Sequence, residues 1–106
     1  MASTFRRFEI LLPLRFNDGR VVPGELIADT LIELEKRFGA VSSETQTIQG
    51  NWRHQEQSFR DYLTRVFVDV SNTPENLEFF RKFKEQLKAR FEQIDIWVTT
   101  YPIEVV

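Results

Sequence analysis

The chain has 106 residues, of which 42% are hydrophobic and 28% charged, with a net charge of −2 and no cysteine. This length fits one domain, residues 1–106, with a single hydrophobic core, and the acidic balance argues against a general nucleic-acid binder. No stretch approaches the roughly 20 apolar residues of a membrane span. The lack of cysteine excludes disulfides and thiolate chemistry and favours a cytoplasmic location.

The first half of the chain predicts a strand followed by a helix. Apolar residues alternate with others along the strand, at Phe8, Ile10, Leu12, Leu14 and Phe16. Residues 1–7 are expected to be flexible, and the interruption of the apolar run by Pro13 and Arg15 argues against a signal peptide. Pro23 suits the start of a helix and Gly39 its end, and the apolar stripe between them is Ile27, Leu31, Leu34 and Phe38.

The second half predicts two strands, a second helix and a last strand. Residues 41–49 are polar and predict an exposed edge strand, with 50–58 as the connection to a regularly alternating strand at 61–70. Thr73 and Pro74 match the cap and first position of a helix, whose apolar stripe is Leu77, Phe80, Phe83, Leu87 and Phe91. The last strand is expected from Ile94 to about Thr100.

This order of elements predicts an α+β fold of the ferredoxin-like βαββαβ type, with an antiparallel four-stranded sheet and two helices on one face. The expected strand order is 4-1-3-2, which places the first strand inside the sheet. Pro13 conflicts with that arrangement, because a proline there removes a hydrogen bond from the ladder. The sequence therefore predicts either a bulge at Pro13 or a different strand order.

The face of the sheet away from the helices is expected to carry the odd-numbered residues, a mixture of charged and apolar side chains. Its apolar anchors are Leu11, Leu63, Phe67 and Trp97. We expect this open face to bind a partner or a second copy of the chain, which makes a non-enzymatic homodimer the leading hypothesis.

Several polar and aromatic residues are expected to meet at one end of the open face. They are Arg15, Trp52, Arg53, His54, Asp61, Asp95 and Trp97. An alternative function is therefore a small-molecule binder or enzyme with a pocket between this face and the Trp52–His54 loop. In that pocket Arg15 or Arg65 binds a small anionic ligand and His54 transfers a proton.

Each of these candidates also has a simpler interpretation. Arg15 and Arg65 suit cross-strand ion pairs with neighbouring aspartates, His54 suits an exposed loop, and Trp52 suits a cover over the core or a subunit contact. No metal-ligand spacing, phosphate loop or nucleophile motif is present, so no cofactor or metal is predicted. RNA binding through the basic second helix is a third alternative.

Four motifs spread along the chain carry a family resemblance. They are Gln49-Gly50-Asn51-Trp52, the strand Val66–Val70, Arg90-Phe91 and Ile96–Pro102. They resemble a small uncharacterised bacterial family with a ferredoxin-like domain. The resemblance implies this fold over nearly the whole chain and implies no chemical role for any residue.

Overall fold

The structure is a computed structural model and describes residues 4–106. Its elements, in chain order, are β1 (Phe5–Pro13), α1 (Gly24–Phe38), β2 (Ser42–Ser43), β3 (Ile48–His54), β4 (Gln57–Ser71), α2 (Pro74–Arg90) and β5 (Val98–Ile103). All strands join one antiparallel sheet in which β1 lies between β4 and β5, while β2 and β3 both pair with β4. The predicted ferredoxin-like α+β fold is confirmed, with the edge strand divided in two.

The hydrophobic core lies between the helices and one face of the sheet. That face carries the even-numbered residues of the two central strands, namely Phe8, Ile10, Leu12, Val66, Val68 and Val70. The ring of Phe80 from α2 stacks on Phe8 with centroids 3.9 Å apart, and Leu34 of α1 is fully buried. Because side chains alternate along a strand, the odd-numbered residues project from the opposite face, called the open face below.

Both helices begin and end close to the predicted residues. Thr73 caps α2, since its hydroxyl accepts a hydrogen bond from the backbone N–H of Asn76, and Pro74 is the first helical residue. The helix α1 begins one residue after Pro23 and ends at Gly39, whose φ of 87° is the left-handed conformation that glycine adopts without strain. No helix among residues 4–106 is long and apolar enough to cross a membrane.

Pro13 produces neither a bulge nor a different strand order. It is the last residue of β1, and its register with Leu63 continues the pairing without a skipped residue. The backbone N–H groups along β1 point alternately towards β4 and towards β5. The N–H of Leu14 donates to the carbonyl of Tyr62 in β4, whereas the N–H of Leu11 donates to the carbonyl of Trp97, just before β5. The missing N–H of Pro13 therefore faces the β5 side, where the ladder has already ended.

The region around β3 differs most from expectation. The predicted strand at 41–49 is split between β2 and the first two residues of β3, and residues 50–54, predicted as part of a connection, also belong to β3. A two-residue turn at Gln55 and Glu56, both with positive φ, joins β3 to β4. Trp52, Arg53 and His54 thus lie on a strand and form no loop. Residues 57–61 pair with β3 alone, so this hairpin extends beyond the end of β1.

The ends of the chain also correct two predictions. Residues 5–7 are predicted to be flexible, but they belong to β1 and pair with both β4 and β5. Residues 1–3 of that prediction lie outside the described part of the chain. The last strand begins at Val98, later than predicted, so residues 94–97 form an irregular segment between α2 and β5.

Candidate functional site

A cleft of about 490 Å³ opens at one end of the open face. Its floor is the end of β1 and the adjoining part of β4, at Leu11, Pro13 and Leu63. The hairpin strand β3 forms one wall and the segment 93–97 forms the other. The cleft therefore lies where β5 has not yet begun and where β3 extends past β1.

The wall contributed by the hairpin is held by an aromatic pair and a hydrogen bond. Trp52 lies opposite Phe59 in the strand register, and their rings stack with centroids 4.5 Å apart. The indole N–H of Trp52 donates to the carboxylate of Asp61, which lies two residues beyond Phe59 on the same face of β4. These contacts fix the orientation of the indole and place a carboxylate beside it.

Gly50 leaves the base of this wall open. It lies opposite Asp61 in the hairpin, and it has no side chain to project into the cleft. A Cβ atom on Gly50 would meet only the Cδ1 atom of Leu63, at 3.4 Å. An alanine would therefore fit, whereas a larger side chain would occupy the cleft itself.

The second wall is the irregular segment that follows α2. Ile96 is buried in the core, which anchors the segment, while the neighbouring Trp97 is 64% exposed. Oδ1 of Asp95 accepts a hydrogen bond from the N–H of Ile96 at 2.9 Å and lies 3.2 Å from Nζ of Lys84. The segment thus presents an indole ring and a carboxylate while its backbone is held in place.

Eight of the residues predicted for the open face and its end line the cleft: Leu11, Trp52, Arg53, His54, Asp61, Leu63, Asp95 and Trp97. Arg15 does not line it. Its guanidinium lies over the ring of Tyr62, 5.6 Å from the centroid, and donates to the carbonyl oxygen of Gly19. Tyr62 and Leu63 project from opposite faces of β4, which separates Arg15 from the cleft.

Arg65 and Phe67 lie further along the open face, within a network of ion pairs. Arg65 pairs with Glu44 and with Glu9, and its hydrogen bond to Glu44 is the main reason that the pKa of Arg65 is raised above its ordinary value. The ring of Phe67 lies beneath the guanidinium of Arg7 at 4.6 Å. Neither Arg15 nor Arg65 lines this cleft, so its geometry does not support the predicted anion-binding role of these two residues.

The other cation of this network is also compensated. Arg7 donates two hydrogen bonds to Asp69, at 2.7 and 3.0 Å, and this carboxylate raises the pKa of Arg7 above its ordinary value. Tyr101 donates to Glu9 at 3.0 Å. The charged half of the open face thus satisfies its own hydrogen bonds and leaves the cleft as the less occupied half.

The lining residues that sequence reasoning missed include Pro13, Gly50 and Ile94. A signal existed for two of them. A proline in an otherwise regular inner strand indicates where pairing on one side ends, and a glycine within an alternating strand indicates missing side-chain volume. The described part of the chain contains no group of three or more histidines and carboxylates arranged to hold a metal ion.

Comparison with protein-family models and with curated protein sequences finds no match. Solved structures do match. A phage SAM lyase in complex with S-methyl-5'-thioadenosine is 14% identical with a TM-score of 0.72, over 96% of this chain and 84% of that one. The divalent cation tolerance protein CutA1 from Thermus thermophilus is 17% identical with a TM-score of 0.60, over 96% and 86%.

CutA from Synechococcus elongatus PCC7942 is also similar, at 12% identity and a TM-score of 0.60, over 96% of this chain and 79% of that one. At such identities the likeness shows the fold alone. The chain is therefore a small ferredoxin-like α+β domain, of the architecture shared by these proteins, with a cleft at one end of its open sheet face.

Proposed function

We propose that the domain binds a small organic molecule in the cleft between the hairpin and the segment 93–97. The observation that carries this proposal is the cleft itself, whose volume of about 490 Å³ lies within the range of ordinary ligand sites. Leu11, Leu63 and Ile94 give it apolar surface, while Asp61 and Asp95 give it a few polar groups. This combination is typical of sites that bury a small ligand and fix its orientation.

The similar phage SAM lyase suggests a first compound to test, since its structure contains S-methyl-5'-thioadenosine. This chain offers a direct readout of binding. It has only two tryptophans, and both of them line the cleft. Intrinsic tryptophan fluorescence therefore reports on the proposed site alone.

The test is a fluorescence titration of the wild-type protein with S-methyl-5'-thioadenosine and with adenosine. We expect a saturable change with at least one of them, and we expect Gly50→Leu to remove it by filling the cleft. Gly24→Leu is the matched control, because that glycine lies in open space at the start of α1, away from the cleft. No saturable change up to millimolar concentrations of either compound would contradict the proposal.

A second candidate function, self-association through the open face, is favoured by the exposed end of the hairpin. Residues 57–61 pair only with β3, and a two-stranded ribbon by itself is only marginally stable in water. Trp97 and Ile94 are 64% and 44% exposed near the same end. Two copies that meet here would cover these side chains as a non-enzymatic homodimer.

Sedimentation velocity at micromolar concentration tests this candidate. We expect the wild type to sediment as a dimer and Trp97→Asp to sediment as a monomer. Val21→Asp is the matched control, because Val21 is similarly exposed, at 68%, and does not line the cleft. A monomeric wild type, or a dimer unaffected by Trp97→Asp, would exclude association through this face.

A further inference from the structure

The geometry points to an organic cation as the preferred ligand of the cleft, with its positive group held by Asp61 and Asp95 against the ring of Trp97. This inference rests on the proposed binding function and specifies the ligand class. It replaces the small anion expected from the sequence, because Asp61 and Asp95 line the cleft while the strand alternation directs the side chain of Arg53 to the opposite face.

The pleat of the hairpin directs its arginines away from the cleft. Trp52 and Asp61 belong to the set of alternate positions that faces the cleft, while Asn51, Arg53 and Arg60 belong to the other set. Nε of Arg60 donates to Oδ1 of Asn51 at 3.4 Å, which places these two side chains on a common face. Arg53 borders the cleft, but the alternation of β3 directs its side chain to that same opposite face.

Asp61 is a half-buried carboxylate with no cationic partner. Within residues 4–106 it forms no ion pair with any lysine or arginine, and its one hydrogen bond comes from the neutral indole of Trp52 through Oδ2. A partly desolvated carboxylate is stabilised by an opposite charge that reaches it. A cationic ligand would supply that charge through the remaining oxygen, Oδ1.

Asp95 adds a second carboxylate, which is only partly compensated. Lys84 lies 3.2 Å from Oδ1 of Asp95, but the Asp95 side chain is 48% exposed, and such surface pairs are weak. Oδ2 of Asp95 has no hydrogen bond among the described residues. The two walls of the cleft thus both present free carboxylate oxygens.

The floor of the cleft adds a further hydrogen-bond acceptor, the backbone carbonyl oxygen of Pro13, which carries a partial negative charge. Pro13 is buried, and the carbonyl of an odd-numbered β1 residue faces the β5 side, as the bond from Leu11 to Trp97 indicates. The pairing with β5 ends at Ile10 and Val98, and the bond from Leu11 to Trp97 is one residue beyond it, so the Pro13 carbonyl lies past the end of this ladder. A ligand with N–H donors would satisfy this oxygen, whereas an anion would be repelled by it.

Trp97 supplies the surface for the positive group. Its ring is 64% exposed, and the face of an indole attracts cations such as ammonium and sulfonium groups, an interaction that strengthens as water is excluded. The aromatic ring, two carboxylates and one free carbonyl together favour a ligand that combines a cationic group with hydrogen-bond donors.

The test uses three ligands that share the adenine nucleoside and differ in charge at the 5' position. They are the cationic 5'-amino-5'-deoxyadenosine, neutral adenosine and anionic adenosine 5'-monophosphate. Tryptophan fluorescence titrations should rank the affinities in that order, with the cation binding roughly tenfold more tightly than adenosine. The difference should shrink as salt is added, since the interaction is partly solvent-exposed.

The variant Asp61→Asn separates the role of charge from that of shape. The amide oxygen still accepts the Trp52 N–H, so we expect adenosine affinity to persist while the preference for the cation falls several-fold; Asp95→Asn should have a smaller effect in the same direction. Asp69→Asn is the control, because Asp69 lies on the open face but pairs with Arg7.

Equal wild-type affinities for the three ligands, or tightest binding of the monophosphate, would overturn the charge inference and leave the binding proposal standing. Absence of any saturable change with all three would overturn both.

Discussion

The two faces of the central sheet are built by neighbouring residues but stabilised in different ways. On the covered face, Ile10 and Val68 are at most 1% exposed and belong to the apolar core. One residue away, on the open face, Arg7, Glu9 and Asp69 form hydrogen bonds and ion pairs with one another or with the neighbours that surround them. A single strand thus contributes to a tightly packed core and to a solvated polar network.

The difference explains where a ligand site is possible. The covered face is occupied, because α1 and α2 pack aromatic and aliphatic side chains against it. The charged half of the open face carries many hydrogen-bond donors and acceptors, but these groups already bind one another in ion pairs. The cleft combines free volume with free acceptors, because β5 starts late, Gly50 lacks a side chain and the hairpin extends beyond β1.

Two phenylalanines test the contrast between the faces directly and should show the largest effect. Phe80 is 2% exposed and stacks on Phe8, so Phe80→Ala should lower the free energy of unfolding by about 3–5 kcal/mol. Phe67 is half-buried on the open face beneath Arg7, so Phe67→Ala should cost less than about 2 kcal/mol. Urea denaturation of both variants measures this, and equal losses would mean that the open face is packed as tightly as the core.

A double-mutant cycle on Arg7 and Asp69 measures the polar side of the comparison. Their side chains are 30% and 35% exposed, so the bidentate pair should contribute a coupling energy of about 0.2–1 kcal/mol. Arg7→Met, Asp69→Asn and the double variant are compared with the wild type at low and high salt. The coupling should decrease with salt; a coupling that is large and independent of salt would indicate that the network is shielded from solvent.

The turn at Asp18 provides a fully solvated reference and should show the smallest effect. The backbone N–H and the guanidinium of Arg20 both donate to Asp18 and hold its pKa below the ordinary value. The folded protein therefore binds this proton more weakly than the unfolded chain, so the stabilisation is present above the unfolded pKa and is lost as pH falls through the folded pKa. Denaturation curves recorded from neutral to acidic pH should therefore show Asp18→Asn as slightly less stable than the wild type near neutrality and equal to it at acidic pH, because the variant lacks that part of the acid dependence.

Local signals were enough to predict most of the fold. Thr73 and Pro74 define the start of α2, and Gly39 ends α1, because these effects depend on neighbouring backbone atoms. The alternation around Val66 and Val68 identified the buried face of β4 correctly. The hairpin strand β3 was not predicted, since its residues are polar and the pairing of Trp52 with Phe59 is visible only once both strands are aligned.

The candidate site was predicted less completely than the fold. Trp52, His54, Asp61 and Trp97 were expected at one end of the sheet, and all four line the cleft. Arg15 was expected beside them, but β1 ends at Pro13 and the chain turns away, which carries Arg15 to Tyr62. The error arose because the period of a strand predicts a face only for as long as the strand continues.

The sequence by itself determined the order of the elements, the two helices and the separation of even from odd residues, because propensity, capping and periodicity act over a few neighbouring positions. Only the tertiary structure decided which charges are compensated and where the sheet leaves space. Arg65 donates to Glu44, which directly follows β2. The cleft exists because β5 pairs with β1 only as far as Ile10, whereas β3 pairs with β4 beyond the end of β1. Such features depend on register and on contacts between residues far apart in the chain, which local patterns do not encode.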